Sequence, residues 1–486
     1  MELIETLAKA QAYAAEKKAT EGSLIAKRVL ANTTQKKVTS AYFPSTDYGN
    51  AERLIHHHGQ NLHWDVRRGK WLHWNNKYWE IDESGAVIRL AKAVARQIYA
   101  EAASIEDSTT RKEVAKYARS CESRAKILAM IELAKSLENI TIMPDQLDKD
   151  PWKLNVQNGT INLKTGQIGT HKRDDLITKI LPVAYDPSAK CPTWLTFLDR
   201  IMGGDTELIR FLQKGVGYSL TGSTSEQCLL IIHGNGANGK SVFLSTIASL
   251  LGAYATQTPV TTLMVKRNES IPNDIARLKG ARFVAAVEAE EGQRLAESAV
   301  KRLTGIDLIP ARFLHQEFFD FIPEFKIWLA TNHRPQIRGT DHAIWRRIRL
   351  IPFNVTIPDE ERDLKLTEKL LKGLPGILSW AIEGCKLWQE EGLIPPKIVV
   401  DATSGYREQS DAIGVFIEEE CTVVENFKVM SKSLFGAYVT WCEENEEHPL
   451  NKRQFSQRIV ERGFPNEKST GGWYFFKGIG LTHHPL

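Results

Sequence analysis

Residues 234–241 read Gly-Asn-Gly-Ala-Asn-Gly-Lys-Ser and match the pattern G-x-x-x-x-G-K-[ST]. The apolar run Leu229–Ile232 precedes them and the helical pattern Val242–Leu251 follows, so a strand, a tight loop and a helix are expected in succession. Glycines let backbone N–H groups surround a phosphate, and a helix N-terminus adds a favourable dipole. We expect Lys240 to balance γ-phosphate charge and the Ser241 hydroxyl to bind Mg²⁺. The predicted ATP-binding residues are Gly234, Asn235, Gly236, Ala237, Asn238, Gly239, Lys240 and Ser241.

Carboxylates follow a second apolar run. Phe283–Val287 leads into Glu288-Ala289-Glu290-Glu291, and acids at the end of a buried strand are typical of a site that holds the Mg²⁺ of a bound nucleotide. We predict that Glu288 binds the metal and that Glu290 is the general base. A solvated acidic turn is the alternative.

Two further segments carry candidate catalytic residues. The strand-like run from Lys326 ends in Asn332, which is suited to orient a water molecule beside the γ-phosphate, although a turn-capping Asn is the alternative. Arg346 and Arg347 precede a last apolar run. In a ring, one of them can reach the neighbour's γ-phosphate as an arginine finger. The alternative is an arginine that pairs with surface carboxylates.

The composition fits an ordinary globular protein. At 486 residues the chain is long enough for about three domains, with 42% hydrophobic and 25% charged residues. The net charge of +4 is too small for a protein that coats nucleic acid with its whole surface. No apolar stretch or leader pattern indicates a membrane or secretion, so we expect a cytoplasmic location in a bacterial or phage-infected cell and no membrane partner. Six scattered cysteines suggest neither a zinc ribbon nor a disulfide framework.

Changes in composition and in hydrophobic pattern along the chain predict a multidomain α/β protein. The strand-like runs Cys228–Ile232, Phe283–Val287, Ile327–Ala330 and Ile348–Ile351 alternate with helical patterns, as in an α/β domain with buried strands. The predicted parts are an arm or linker (1–40), an α+β module (41–190), a P-loop ATPase domain (191–394) and a winged helix (395–486). A run of histidines, His56-His57-His58, has no familiar ligand spacing and is assigned to the surface.

In order, the segments 234–241, 283–291, 301–321, 326–332 and 341–353 resemble the A, B, B′ and C motifs and the arginine-finger segment of superfamily 3 helicases. Outside them, the segments 46–54, 69–71, 158–159, 185–187 and 191–194 look similar to the phage and plasmid primase-helicase family, so the resemblance covers about residues 41–486. It implies an AAA+-like motor that works as a homohexamer on single-stranded or forked DNA. The arm before residue 41 is too short for a primase, so a separate primase or polymerase is expected as a partner.

The resemblance also implies a B′ hairpin that grips DNA in the channel of the ring. In that segment Arg312, His315 and Lys326 are interspersed with Phe313, Phe318 and Phe319. We predict DNA contacts for Arg312 and His315, and we assign the aromatic residues to the core. In the tail, Lys452 and Arg453 are the candidate DNA contacts of a recognition helix whose apolar face is Phe455, Ile459 and Val460. A solvated helix face or a protein-binding winged helix is the alternative.

These observations predict an ATP hydrolase that acts as a DNA helicase or translocase in the replication of a phage or mobile element. An ATPase that remodels a protein partner, in defence or regulation, is one alternative. A DNA-binding replication initiator scaffold, in which nucleotide only stabilises a ring, is another. Lys240, Glu288 and Asn332 argue against the scaffold, because it would not need a hydrolytic site.

Overall fold

The computed structural model describes residues 43–265, 273–287, 293–313, 317–337, 342–445, 449–469 and 471–482. The chain divides into two compact units. The first contains residues 80–144 and the described residues up to 74, and the second contains residues 75–79 and the described residues from 145 onward. None of the helices in these ranges is both long enough and apolar enough to span a membrane.

The first unit combines four helices with a small sheet. Its helices are α1 (Asp47–His58), α2 (Ala86–Ala103), α3 (Ser108–Cys121) and α4 (Arg124–Ala134). The strands β1 (Leu62–Asp65), β2 (Lys70–Trp74), β3 (Trp79–Ile81) and β4 (Thr141–Ile142) lie in the order β3-β2-β1-β4, and Trp79, the first residue of β3, is counted with the second unit. Residues 86–134 form three helices rather than one, because Asp107 and Ser123 each accept a hydrogen bond from a backbone N–H and start a new helix.

A five-stranded parallel sheet organises the second unit. Its strands are β8 (Leu229–His233), β9 (Ala255–Pro259), β10 (Phe283–Val287), β13 (Lys326–Thr331) and β14 (Ile348–Pro352), in the order β14-β8-β13-β10-β9. Four of the five are the runs predicted from the sequence. Strand β9 was missed because it lies at the edge of the sheet, where Thr258 is its only buried residue and no apolar run marks it.

Layers on both faces bury this sheet. In β8, Leu230 and Ile232 belong to one hydrophobic core, whereas Leu229 and Ile231 belong to the other. Alternate side chains of a strand point to opposite faces, so a strand between two cores needs an unbroken apolar run. This requirement explains why the predicted strands could be recognised.

The remaining elements of the second unit surround the sheet. Strands β5 (Lys153–Val156), β6 (Gly159–Asn162) and β7 (Gln167–Gly169) form an antiparallel sheet. Strands β11 (Ile309–Ala311) and β12 (Phe319–Phe321) form a separate hairpin. The helices are α5 (Pro192–Met202), α6 (Thr206–Ser219), α7 (Lys240–Leu251), α8 (Asn273–Ala276), α9 (Glu297–Leu303), α10 (His342–Trp345), α11 (Leu366–Lys372), α12 (Leu374–Glu391) and α13 (Lys397–Gln409).

Helix α13 falls in the range predicted for the C-terminal domain, yet it packs on β14. The Thr403 hydroxyl accepts a hydrogen bond from the Leu350 N–H at 3.0 Å, and the Tyr406 ring contacts Trp345 in the core beneath the sheet. Helices α14 (Ala412–Glu420), α15 (Ser431–Glu444) and α16 (Lys452–Glu461) follow. With them, β15 (Cys421–Met430), β16 (Asn466–Lys468) and β17 (Tyr474–Leu481) form an antiparallel sheet in the order β15-β17-β16.

Helices α6 and α12 approach each other closely because glycines form their contact. A Cβ atom at Gly217 would lie 2.1 Å from the backbone nitrogen of Cys385, and one at Gly384 would lie 2.1 Å from the carbonyl oxygen of Gln213. Both obstacles are backbone atoms, so neither helix can yield by turning a side chain.

Replacing Gly217 with Ala should therefore destabilise the second unit by about 1–3 kcal/mol, the usual cost of overpacking a core. Urea unfolding followed by circular dichroism measures the change. Gly405→Ala is the matched control, since Gly405 also lies in a helix but a Cβ atom there would point into open space. It should unfold at the same or a higher urea concentration, because Ala favours helix over Gly. Equal stability of Gly217→Ala and wild type would contradict the close packing.

Candidate nucleotide site and nucleic-acid contacts

The loop between β8 and α7 is tightly curved. Gly236, Ala237 and Gly239 have positive φ angles of 63°, 46° and 82°, which turn successive N–H groups toward one side of the loop, as in anion-binding nests. At Gly234 a Cβ atom would lie 2.2 Å from the Phe353 carbonyl oxygen, so only glycine fits there. The predicted glycines thus meet backbone requirements of this loop.

Residues 353–357, which follow β14, form hydrogen bonds with the loop. The Asn238 side-chain amide, which is buried, donates to the Phe353 carbonyl at 3.2 Å, and the Ile357 N–H donates to the Ala237 carbonyl at 2.8 Å. Sequence reasoning missed the role of residues 353–357, because their contacts with the loop are made by backbone atoms that any residue carries.

Lys240 is buried at the start of α7. Its Nζ donates to the Gly234 carbonyl and, at 2.9 Å, to the Asn332 side-chain oxygen. Burial lowers the pKa of this lysine below its ordinary value, because desolvation penalises the charged form. Its two described partners are neutral oxygens, so a bound anion would give the ammonium the compensating charge that these oxygens do not supply.

A cavity of about 280 Å³ lies against the loop. Its lining includes Lys240, the exposed Ser241, Asn332 and Val287. These residues come from three different strands or their loops, and they meet because β8, β13 and β10 are parallel neighbours whose carboxyl ends share one edge. The predicted carboxylates Glu288 and Glu290 lie outside the described residues, directly after Val287 in the chain.

His233 ends β8 beside this site. Burial, together with the charges of Arg334 and Lys240, lowers its pKa to about 4. The imidazole is therefore neutral near pH 7, and it adds no positive charge to the site.

The two candidate arginine fingers have different surroundings. Arg347 is buried, and its guanidinium donates to the Ala343 carbonyl at 2.7 Å and to the Gln227 side chain at 3.3 Å. Arg346 is exposed, and its contact with Gln227 is long, at 3.4 Å. Arg347 thus binds atoms of its own fold, whereas Arg346 can extend to another molecule.

Both arginines lie at the edge of the sheet away from the loop. They precede Ile348, which pairs with Leu229 at the start of β8, while the loop follows His233 at the end of β8. Four residues of strand span roughly 13 Å. Arg346 therefore lies at the opposite end of the sheet from the loop of its own chain.

The predicted B′ segment contains a two-stranded hairpin. Strands β11 and β12 pair antiparallel, and the guanidinium of Arg312 lies 4.9 Å from the Phe318 ring centroid. His315 is outside the described residues. The core assignment was wrong for two aromatic residues, since Phe313 and Phe318 are exposed, whereas Phe319 packs against the core beneath the sheet.

Lys326 was named with the basic residues of the B′ segment, but it is not accessible to DNA. It is 2% exposed, and its Nζ donates to the carbonyls of Ser223 at 3.2 Å and Glu324 at 3.1 Å. Burial holds the pKa of this lysine well below its ordinary value. Lys326 is a structural residue that satisfies carbonyl oxygens beside the start of β13.

Helix α16 carries the candidate contacts of the tail. Lys452 and Arg453 are exposed on its first turn, and Asn451 caps the helix through the Gln454 N–H. Phe455 and Ile459 are buried as expected, but Val460 is 45% exposed. The apolar face is therefore narrower than the sequence suggested.

Cysteines and histidines add no second site in the described ranges. All six cysteines are buried and not bonded to one another. Among the described residues, no group of three or more His, Cys, Asp or Glu side chains is placed to hold a metal ion.

Three family models match this chain in successive segments. They are D5 N terminal like (residues 51–203), a family of unknown function, DUF5906 (residues 232–347), and Poxvirus D5 protein-like (residues 408–475). The two D5-like matches flank the loop and the parallel sheet.

Viral proteins are similar over longer stretches. A "Putative helicase" of Acanthamoeba polyphaga mimivirus is 25% identical over 78% of this chain and 44% of its own length. A "Putative primase" of African swine fever virus is 27% identical over 42% of this chain and 22% of its own length. The chain thus spans less than half the length of these relatives.

Among solved structures, the C-terminal region of NrS-1 aligns with 86% of this chain and 96% of its own, at 11% identity and a TM-score of 0.46. The family assignment comes from the models and the viral relatives, which agree with the resemblance found in the sequence. The D5-like family models and the helicase-named viral relatives support placing the chain in the phage and viral primase-helicase family.

Proposed function

We propose that this protein is an ATP-dependent DNA helicase or translocase of a phage or viral replication module. The observation that carries the proposal is the bond from Lys240 to Asn332 at a cavity that the glycine-rich loop also lines. One buried cation thereby connects the loop with the end of a neighbouring strand, where a γ-phosphate would be placed between them. The helicase and primase names of the viral relatives agree with this function.

The residues of the cavity, together with the carboxylates that follow Val287 in the chain, would fit ATP with Mg²⁺. Loop N–H groups and Lys240 would hold the phosphates, and Ser241 with Glu288 would hold the metal, which neutralises phosphate charge. Asn332 would orient the attacking water, and Glu290 would accept its proton. In this arrangement Asn332 senses whether the γ-phosphate is present, because it shares Lys240 with that phosphate.

We further propose a homohexameric ring of the AAA+-like, superfamily 3 type. The support is the position of Arg346, which is exposed at the sheet edge opposite its own loop. A neighbouring copy could present its loop to that edge, and Arg346 would then stabilise charge on the neighbour's γ-phosphate.

Nucleic acid would contact two places. The β11–β12 hairpin, with Arg312 and His315, would line the channel and hold a single strand. The C-terminal domain, proposed as a winged helix, would contact DNA through Lys452 and Arg453 on α16. A separate primase or polymerase would extend the exposed strand.

An ATPase that remodels a protein partner is a second candidate. The observation in its favour is the apolar surface around the β11–β12 hairpin, where Ile306 is 63% exposed and Leu308 is 61% exposed. Such side chains can hold an unfolded polypeptide as well as a nucleic acid.

ATP hydrolysis with and without single-stranded DNA, together with the mass in solution, tests the proposal. We expect strong stimulation by DNA in an assembly of ring size, and strand displacement from a forked substrate. Hydrolysis by a monomer that does not respond to DNA would contradict the DNA motor and would favour the protein-remodelling candidate.

Lys240→Ala should abolish DNA-stimulated ATP hydrolysis, lowering the rate by at least about 100-fold, because the developing phosphate charge loses its buried cation. A coupled phosphate-release assay measures the rate. Lys372→Ala, which removes an exposed lysine from the end of α11, is the control and should hydrolyse ATP like the wild type. Full activity of Lys240→Ala would rule out the proposed site.

Arg346→Ala should lower activity, whereas Arg347→Ala should lower stability. Loss of Arg346 should lower kcat by about 10³-fold, the lower end for an arginine finger, with little change in thermal stability. Loss of Arg347 should instead lower the unfolding temperature, because buried acceptors lose their donor.

Assemblies that contain two different variant subunits test whether Arg346 acts on the nucleotide site of the neighbouring subunit or on that of its own chain. Arg346→Ala subunits have an intact loop, and Lys240→Ala subunits have an intact Arg346. Mixing the two inactive variants should restore part of the hydrolysis, since some loops then face an intact arginine. No recovery in assemblies shown to contain both variants would contradict the role of Arg346 across the interface.

A further inference from the structure

The hairpin of β16 and β17 ends in two exposed aromatic side chains. Trp473 is 58% exposed and Tyr474 is 52% exposed. Aromatic side chains of this size dominate the energetics of cores and interfaces, and their exposure together on a hairpin end gives up the stabilisation that burial provides. Neither residue belongs to the contacts proposed above, so their exposure needs its own explanation.

The structure holds this end of the hairpin in place. The Ser469 N–H donates to the Trp473 carbonyl at 2.7 Å, and the Gly472 N–H donates to the Ser469 carbonyl at 2.9 Å, where Gly472 adopts a φ of 85°. Further along β17, Phe476 is fully buried and its ring contacts Phe455 of α16 edge to face. The backbone that carries the two aromatic residues is thus fixed relative to α16, and little backbone entropy would be lost when they bind a partner.

The charges beside the pair are suited to an anionic partner. Lys468 lies opposite Tyr474 in the β16–β17 ladder, with its Nζ 6.0 Å from the ring centroid. The neighbouring acid, Glu467, is ion-paired with Lys477 at 2.6 Å, so its charge is balanced. Aromatic faces beside an ammonium group bind single-stranded nucleic acid well, because a base stacks on the ring and the cation meets the phosphate.

We infer that Trp473 and Tyr474 form a stacking site for an unpaired DNA base, and that Lys468 binds the adjacent phosphate. Only residues 462–465 connect α16 with β16, so the site lies in the same small domain as Lys452 and Arg453. A duplex that contacts α16 would meet the hairpin where its strands separate. This role rests on the proposed DNA motor and gives that motor a contact at the fork outside the β11–β12 hairpin.

Binding of the full-length protein to a forked oligonucleotide tests the site without ATP. The fork carries 2-aminopurine at the first unpaired position, where stacking on an aromatic ring changes its fluorescence. Trp473→Ala and Tyr474→Ala should each weaken fork binding about tenfold, as expected for one lost stacking contact. They should also remove the fluorescence change, with an unchanged unfolding temperature.

Two further variants test whether the loss of fork binding comes from a change in structure instead. Trp473→Phe keeps a stacking ring and should retain most of the fluorescence change, whereas a merely structural loss would not be rescued by it. Phe427→Ala removes an aromatic residue that is 44% exposed on β15 of the same domain, and it should bind the fork like the wild type.

Unchanged fork binding and fluorescence in both Trp473→Ala and Tyr474→Ala would overturn the inference, and a protein partner for this hairpin would then be the better explanation. An equal loss of binding in Phe427→Ala would also overturn it. If the wild type hydrolyses ATP without any response to DNA, the proposed motor fails. The fork-binding assay still decides the stacking site in that case, because it needs no hydrolysis.

Discussion

The parallel pairing of β8 with β13 and β14 is the constraint on which the site depends. Each pairing is in register over five residues, so the ends of the strands lie side by side. The loop after β8, Asn332 after β13 and the segment after β14 therefore meet at one edge. No single stretch of sequence encodes this meeting, because it follows from the order of the strands in the sheet.

Buried cations occupy both edges of this sheet, with different partners. At the amino ends of β10 and β13, Arg282 and Lys326 donate hydrogen bonds to carbonyl groups of several chain segments and hold those segments together. At the carboxyl ends, Lys240 has the Gly234 carbonyl and the Asn332 amide, and a cavity lies beside it. A buried cation beside a cavity can bind an anionic ligand, whereas a buried cation surrounded by carbonyl groups stabilises the fold.

The sequence predicted those parts of the molecule that obey short-range rules. The loop 234–241 and four buried strands were found because glycine spacing and unbroken apolar runs are local consequences of backbone geometry and two-sided burial. Strand β9 and helix α13 were missed, since their positions are fixed by pairing and packing with distant segments. The burial of Lys326 could not be foreseen for the same reason, since one of the carbonyls that it contacts belongs to Ser223, which is distant in sequence.

Arg346 and Arg347 show how adjacent residues can have different surroundings. They are adjacent in sequence and equal in charge, so no local pattern could rank them. The short helix α10 ends at Trp345, whose ring packs against Tyr406 directly before the two arginines. Arg347 then points into the fold toward Ala343 and Gln227, while Arg346 is left at the surface. If a neighbouring subunit docks at this edge, the buried arginine fixes the backbone and the exposed one carries the charge across the interface. The two arginines would then be complementary parts of one device, since Arg346 can act at a fixed distance only because Arg347 anchors the chain beside it.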